Sequence, residues 1–162
     1  MKPLFRKLAL TAHVTFSVGW LGAVAAFLAL AVAGLTNQDP QIVLAAYLAM
    51  KLATWFVIVP LAAGSVLSGV VSSLITRWGL VSYYWVLVKL LMTSLATIIL
   101  LVHTQPIDLL AAAAKTTGLG THFRSSQLQM VIAAGAGVLV LLVITTLSVY
   151  KPQGVTRYGA RT

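Results

Sequence analysis

Four apolar stretches, at about residues 8–35, 42–76, 81–103 and 127–150, constrain this chain more than any other feature. About 20 predominantly apolar residues cross the hydrocarbon core of a bilayer, so each stretch is long enough to span it as a helix. The sequence therefore specifies an all-α, polytopic membrane protein. It reads as one transmembrane domain over residues 1–162, a four-helix bundle with no polar segment long enough for a second domain. Only 8% of residues are charged, against about 25% in soluble domains. The absence of cysteine excludes disulfides, thiolate metal sites and thiol catalysis.

The first run follows Lys2, Arg6 and Lys7, and Ala31-Val32-Ala33 imitates a signal cleavage site. The run is roughly twice the length of a 7–15-residue signal core, which makes it a retained span. Thr36-Asn37-Gln38-Asp39-Pro40 reads as a turn. The second run exceeds one perpendicular crossing. If the hydrocarbon begins near Leu52, Gln41–Met50 becomes a surface extension and Lys51 snorkels beside an interfacial Trp55. Pro60 lacks the amide that would bond the Phe56 carbonyl, so the second helix is expected to be kinked at Pro60. Gly64, Ser68 and Ser72 recur every four residues, a small-residue face that admits a neighbouring helix.

After the turn at Arg77-Trp78-Gly79, the third span places Lys89, Thr93, Ala96, Thr97, His103 and Thr104 on one stripe. The loop from Thr104 to Ser126 should contain a short surface helix over Asp108–Lys115, with the acid early and the base late, as the helix dipole prefers. The last span begins near Gln127. Lys2, Arg6, Lys7, Arg77, Lys151, Arg157 and Arg161 fall on the side of the termini, and Asp39, Asp108, Lys115 and Arg124 on the other. The positive-inside rule makes the termini cytoplasmic. The net charge of +9 is scattered among spans and short loops, which argues for orientation in the membrane and against nucleic acid. The expected partners are the lipid bilayer and either further copies of the chain or another membrane protein.

Ionisable groups inside a membrane default to a functional hypothesis. His13 and His103 differ in depth by roughly 15–20 Å at 1.5 Å per residue, too far apart to be the two axial ligands of one haem. His13 is the candidate cofactor and metal ligand, with Tyr83, Tyr84 and Lys89 as candidate cofactor contacts. Ser72, Ser73, Thr145 and Ser148 are other neighbours at that depth. A hydrogen-bonded packing role for His13 and snorkelling roles for Lys51 and Lys89 are the competing structural readings. Lys51, Trp55, His103, Asp39 and Asp108 form the polar set of the opposite end. No span carries a zinc-protease helix motif, a carboxylate pair or a phosphate-binding loop, which disfavours a hydrolase. The lack of intramembrane acids weakens a proton-coupled transporter.

The segment His13-Val14-Thr15-Phe16-Ser17-Val18-Gly19-Trp20-Leu21-Gly22-Ala23 resembles the first helix of copper-resistance membrane proteins and of membrane haem proteins of late haem biosynthesis. A longer resemblance, carried by Gly79-Leu80, Tyr84 to Leu91 and Leu147-Ser148-Val149-Tyr150-Lys151-Pro152, is to an uncharacterised bacterial family of small four-helix integral membrane proteins. It implies a multi-pass protein of the bacterial inner membrane and transfers no activity. The resemblance also implies an acid at the position of Lys51 and histidines near Ser82 and at Ala133 or Ala134. This chain lacks those ligands, and only His13 matches a haem-ligand position. Three readings follow. The first is a non-enzymatic accessory or partner-binding bundle; the second is a haem b-binding redox or haem-handling protein using His13; the third is a small-solute or proton channel along the Lys89–His103 stripe.

Overall fold

A computed structural model describes residues 3–75, 83–102, 104–116 and 123–150. These form α1 (Pro3–Thr36), α2 (Pro40–Ala53), α3 (Val59–Ile75), α4 (Tyr84–Val102), α5 (Thr104–Thr116) and α6 (Arg124–Tyr150). A five-residue π turn, Thr54–Ile58, joins α2 to α3. Leu4–Thr36, Pro40–Leu74, Tyr84–Lys115 and Arg124–Tyr150 are each long and apolar enough to cross a bilayer. Arg77, His103, His122 and the basic tail lie outside the described residues.

The break between the first two spans follows from its side chains. The Asp39 carboxylate accepts from the Gln41 amide at 2.8 Å and caps α2, while Pro40 occupies a first-turn position where no amide is needed. The Asn37 side chain accepts from the Asp39 amide at 2.9 Å, closing the turn. Further along, the kink expected at Pro60 takes a particular form: the irregularity sits one turn earlier, where Val59 N–H bonds the Thr54 carbonyl in π geometry. A widened turn upstream accommodates a pyrrolidine ring that would otherwise meet the Phe56 carbonyl.

Adjacent spans pack in order around a closed ring. The first rests on the second and the last, and α4 rests on α3 and α6. The core stripe of α1 is Trp20, Val24, Phe27 and Ala31, all buried, at helical spacing. Near the loop end of the ring, α2 packs on both α1 and α5. The extension Gln41–Met50 is thus covered by protein, with Tyr47 and Met50 fully buried. The expected loop from Thr104 is likewise helical at once, and α5 buries Ile107, Leu110 and Ala111.

Between apolar helices in lipid there is little hydrophobic drive to associate, so closeness of packing carries the stability. Gly34 shows how close. A Cβ built there would lie 2.8 Å from the Tyr47 ring, and that ring is fully enclosed. Gly22, by contrast, has nothing within 4 Å of its Cβ position and is exposed. Gly34→Ala should therefore destabilise the bundle by about 1–3 kcal/mol through overpacking. Gly22→Ala should be neutral or gain up to about 1 kcal/mol from helix propensity. Thermal unfolding in detergent reads the difference, and equal melting of the two variants would contradict the Gly34–Tyr47 contact.

Candidate functional site

One group of polar side chains meets along a seam between α1 and α3. Each step back along α1 is matched by a step forward along α3. Gly19 faces Leu61, Phe16 faces Gly64, His13 faces Ser68 and Gly69, and Ala9 faces Ser72. The Gly64, Ser68 and Ser72 face expected to meet another helix does so here. A Cβ at Gly64 would come within 2.7 Å of the Phe16 ring, and one at Gly69 within 3.0 Å of the His13 imidazole. Only glycine lets both rings lie against the α3 backbone.

The hydrogen bonds along the seam have a direction. Ser68 donates its hydroxyl proton to the Gly64 carbonyl at 2.5 Å, so its oxygen accepts from His13 Nδ1 at 3.2 Å. That places the imidazole proton on Nδ1 and the lone pair on Nε2. Ser17 and Ser65 share a hydroxyl–hydroxyl bond of 2.9 Å one turn along, and Ser72 donates to the Ala9 carbonyl at 3.3 Å. The seam binds two helices through groups that hydrocarbon cannot solvate. His13 is half-buried, and its ring edge rests on Gly69.

Of the residues grouped with His13 from the sequence, Ser72 joins the same seam, and the others also make contacts of their own. Lys89 holds its ammonium 5.3 Å from the centroid of the Trp85 ring on its own helix, a cation–π distance. Tyr84 is more than half exposed, and the Tyr83 carbonyl accepts from the Val86 and Leu87 amides at the start of α4. On the α4 stripe, Thr93 and Thr97 donate back to the carbonyls of Lys89 and Thr93 at 2.7 and 2.9 Å. Thr104 donates to Leu101, and His103 lies outside the described residues. Ser73 bonds the Val70 carbonyl of its own helix, and Thr145 and Ser148 likewise bond within α6.

At the loop end, Lys51 does more than snorkel: its ammonium lies 3.0 Å from the Asp108 carboxylate. Trp55 beside it is 44% exposed, and Asp39 remains the cap of α2. The sequence has only two acidic residues, and both are engaged in this way. Among the described residues, no three His, Asp or Glu side chains gather as a metal-binding set.

A second feature is a half-open cavity of about 450 Å³ between α1, α4 and α6, with Ile58 of the π turn and Ile107 of α5 also lining it. Trp20, Phe27 and Met130 form its buried floor, and Leu95, Ile99 and Ile132 its exposed margin. His13 does not line it. The Trp20 indole N–H is covered by protein and has no hydrogen-bond partner among the described residues.

Two parts of this arrangement escape sequence reading. The pairing of His13 with Ser68 needs the inter-helix register, which the four-residue spacing of Gly64, Ser68 and Ser72 hints at without fixing. The cavity has only the small-residue run Ala133-Ala134-Gly135-Ala136-Gly137 as a trace. Comparison of the chain with protein-family models, curated proteins and solved structures gives no match.

The contact between His13 and Gly69 has a measurable consequence. Gly69→Leu should destabilise the bundle by about 1–3 kcal/mol, and His13→Ala in the same chain should recover most of that loss, because residues in contact are not additive. Simple addition of the two effects in detergent unfolding would place the imidazole elsewhere.

Proposed function

We infer that this chain is a non-catalytic accessory or partner-binding bundle of a bacterial inner membrane, with both termini cytoplasmic. The observation that carries the reading is the fate of its polar side chains. His13, Ser17, Ser65, Ser68 and Ser72 join α1 to α3, and both carboxylates of the sequence serve a helix cap and an ion pair. Thr54, Thr93, Thr97, Thr145 and Thr146 return their hydroxyls to carbonyls four residues back, the usual way to keep such groups satisfied in lipid. Acid–base, nucleophilic or proton-relay chemistry needs convergent groups with capacity to spare. This arrangement favours structural use of them. A haem on His13 would need open volume beside Nε2, and the cavity lies elsewhere in the bundle.

The surface best suited to a partner is the outward face of α4, which belongs to the least covered of the four spans. Leu91 and Ile98 on that face are about 60% exposed. A photo-crosslinking residue at Leu91 or Ile98, in membranes of the native host, should give a discrete protein adduct. One at Val14, on the outward face of α1, should give none. An adduct of twice the chain mass would identify a second copy as the partner. Lipid adducts alone from all three positions would overturn the partner-binding reading.

A further inference from the structure

The half-open space between α1, α4 and α6 measures about 450 Å³. That is within the range of about 300–1,000 Å³ typical of ligand sites. Its wall is almost entirely apolar, and the Trp20 N–H, though close by, is covered and not offered to it. Water does not fill an apolar cavity of this kind. The mouth decides what does. Leu95 and Ile99 on α4 and Ile132 on α6 are at once lining residues and 47–62% exposed, and all three lie well inside their spans. The opening therefore faces sideways into hydrocarbon.

The dimensions select the occupant further. Along α6 the lining runs from Gln129 to Leu141, which is about 18 Å at 1.5 Å per residue. One leaflet of a bilayer has a hydrocarbon depth of about 15 Å, half of the roughly 30 Å core. The cavity thus follows the membrane normal for about the length of one leaflet. Its exposed amide-bearing residue, Gln129, lies at the loop end, nearest the interface, and the depth beyond is lined by Ala133, Ala136, Val140 and Leu141. The space exists because α6 presents alanine and glycine where larger side chains would have filled it. Against α1 the same run is tight, with a Cβ at Gly137 falling 3.4 Å from Val24.

We propose that this cavity is a binding site for one acyl chain of a bilayer phospholipid, taken from the leaflet at the loop end and admitted between α4 and α6. The chain enters methyl end first in depth, with its ester region beside Gln129. Its mouth at Leu95 and Ile99 shares the exposed side of α4 with Leu91 and Ile98, so the site is tested on the purified chain in lipid with no protein partner present.

Two measurements test it. The unmodified protein is reconstituted with a phosphatidylcholine carrying a diazirine near the middle of one acyl chain, irradiated, and mapped by peptide mass spectrometry. Adducts are expected on Met130, which is 1% exposed in the floor, as well as on outward residues. Adducts confined to outward-facing residues overturn the proposal.

In the second measurement, Trp55, Trp78 and Trp85 are replaced by Phe so that Trp20 alone fluoresces, and the protein is placed in phosphatidylcholine brominated along the chain. Strong quenching of Trp20 is expected despite its burial. It should fall at least two-fold when the space is filled by Ala133→Leu or Ala136→Leu, each read in a variant whose melting temperature is unchanged. Absent quenching, or quenching indifferent to both fillings, overturns the site.

Discussion

The close approach of α1 to α3 is the contact on which the other packing rests. In a bilayer the lipid tails are as apolar as leucine, so helices gain little by hiding apolar surface from their surroundings. What remains is van der Waals contact and hydrogen bonding, and both need short distances. Gly64 and Gly69 let Phe16 and His13 lie against the α3 backbone, which brings Ser17 and Ser65 to 2.9 Å and His13 and Ser68 to 3.2 Å. The same α1 carries α2 through Gly34 and Tyr47, and packs on α6 along its other side. The fourth wall, α4, is held by α3 and α6.

That arrangement makes the bundle lopsided. Three walls meet through glycine, serine and a buried aromatic stripe, whereas α4 and α6 enclose a volume large enough for a guest. The asymmetry comes from where small residues sit. On α3 they oppose large rings from α1, so the gap closes. On α6 the alanines and glycines from Ala133 to Gly137 oppose Val24 on one side and open space on the other. Function, on this account, belongs to the apolar parts of the molecule. The polar parts hold it together.

The four spans were legible because the hydrocarbon thickness imposes a length, with α1 reaching back to Pro3 and α6 starting at Arg124. The turn at Asn37–Asp39 and the small-residue face of α3 were legible from local chemistry. The partner of His13 was not, because α1 and α6 are apolar around their whole circumference and periodicity cannot separate a lipid-facing side from a core-facing one. Lys51 and Asp108 could be assigned to the same end of the bundle but not paired. The cover over Tyr47 and Met50 was not legible either, because it depends on α2 packing against α1 and α5, which no local pattern shows.

The register of α1 against α3 governs the rest of the packing, and the absence of native cysteine makes that register directly measurable. A Ser17→Cys and Ser65→Cys pair replaces two hydroxyls 2.9 Å apart with thiols of nearly the same shape. In membranes under mild oxidation it should close an intramolecular disulfide, seen as a shift in non-reducing electrophoresis that a reductant reverses. Ser17→Cys with Ser72→Cys moves one thiol two turns along α3, about 10 Å, beyond the Cα separation of about 7 Å that a disulfide tolerates. That pair should stay reduced. Closure of the second pair without the first would contradict the register and, with it, the seam between α1 and α3.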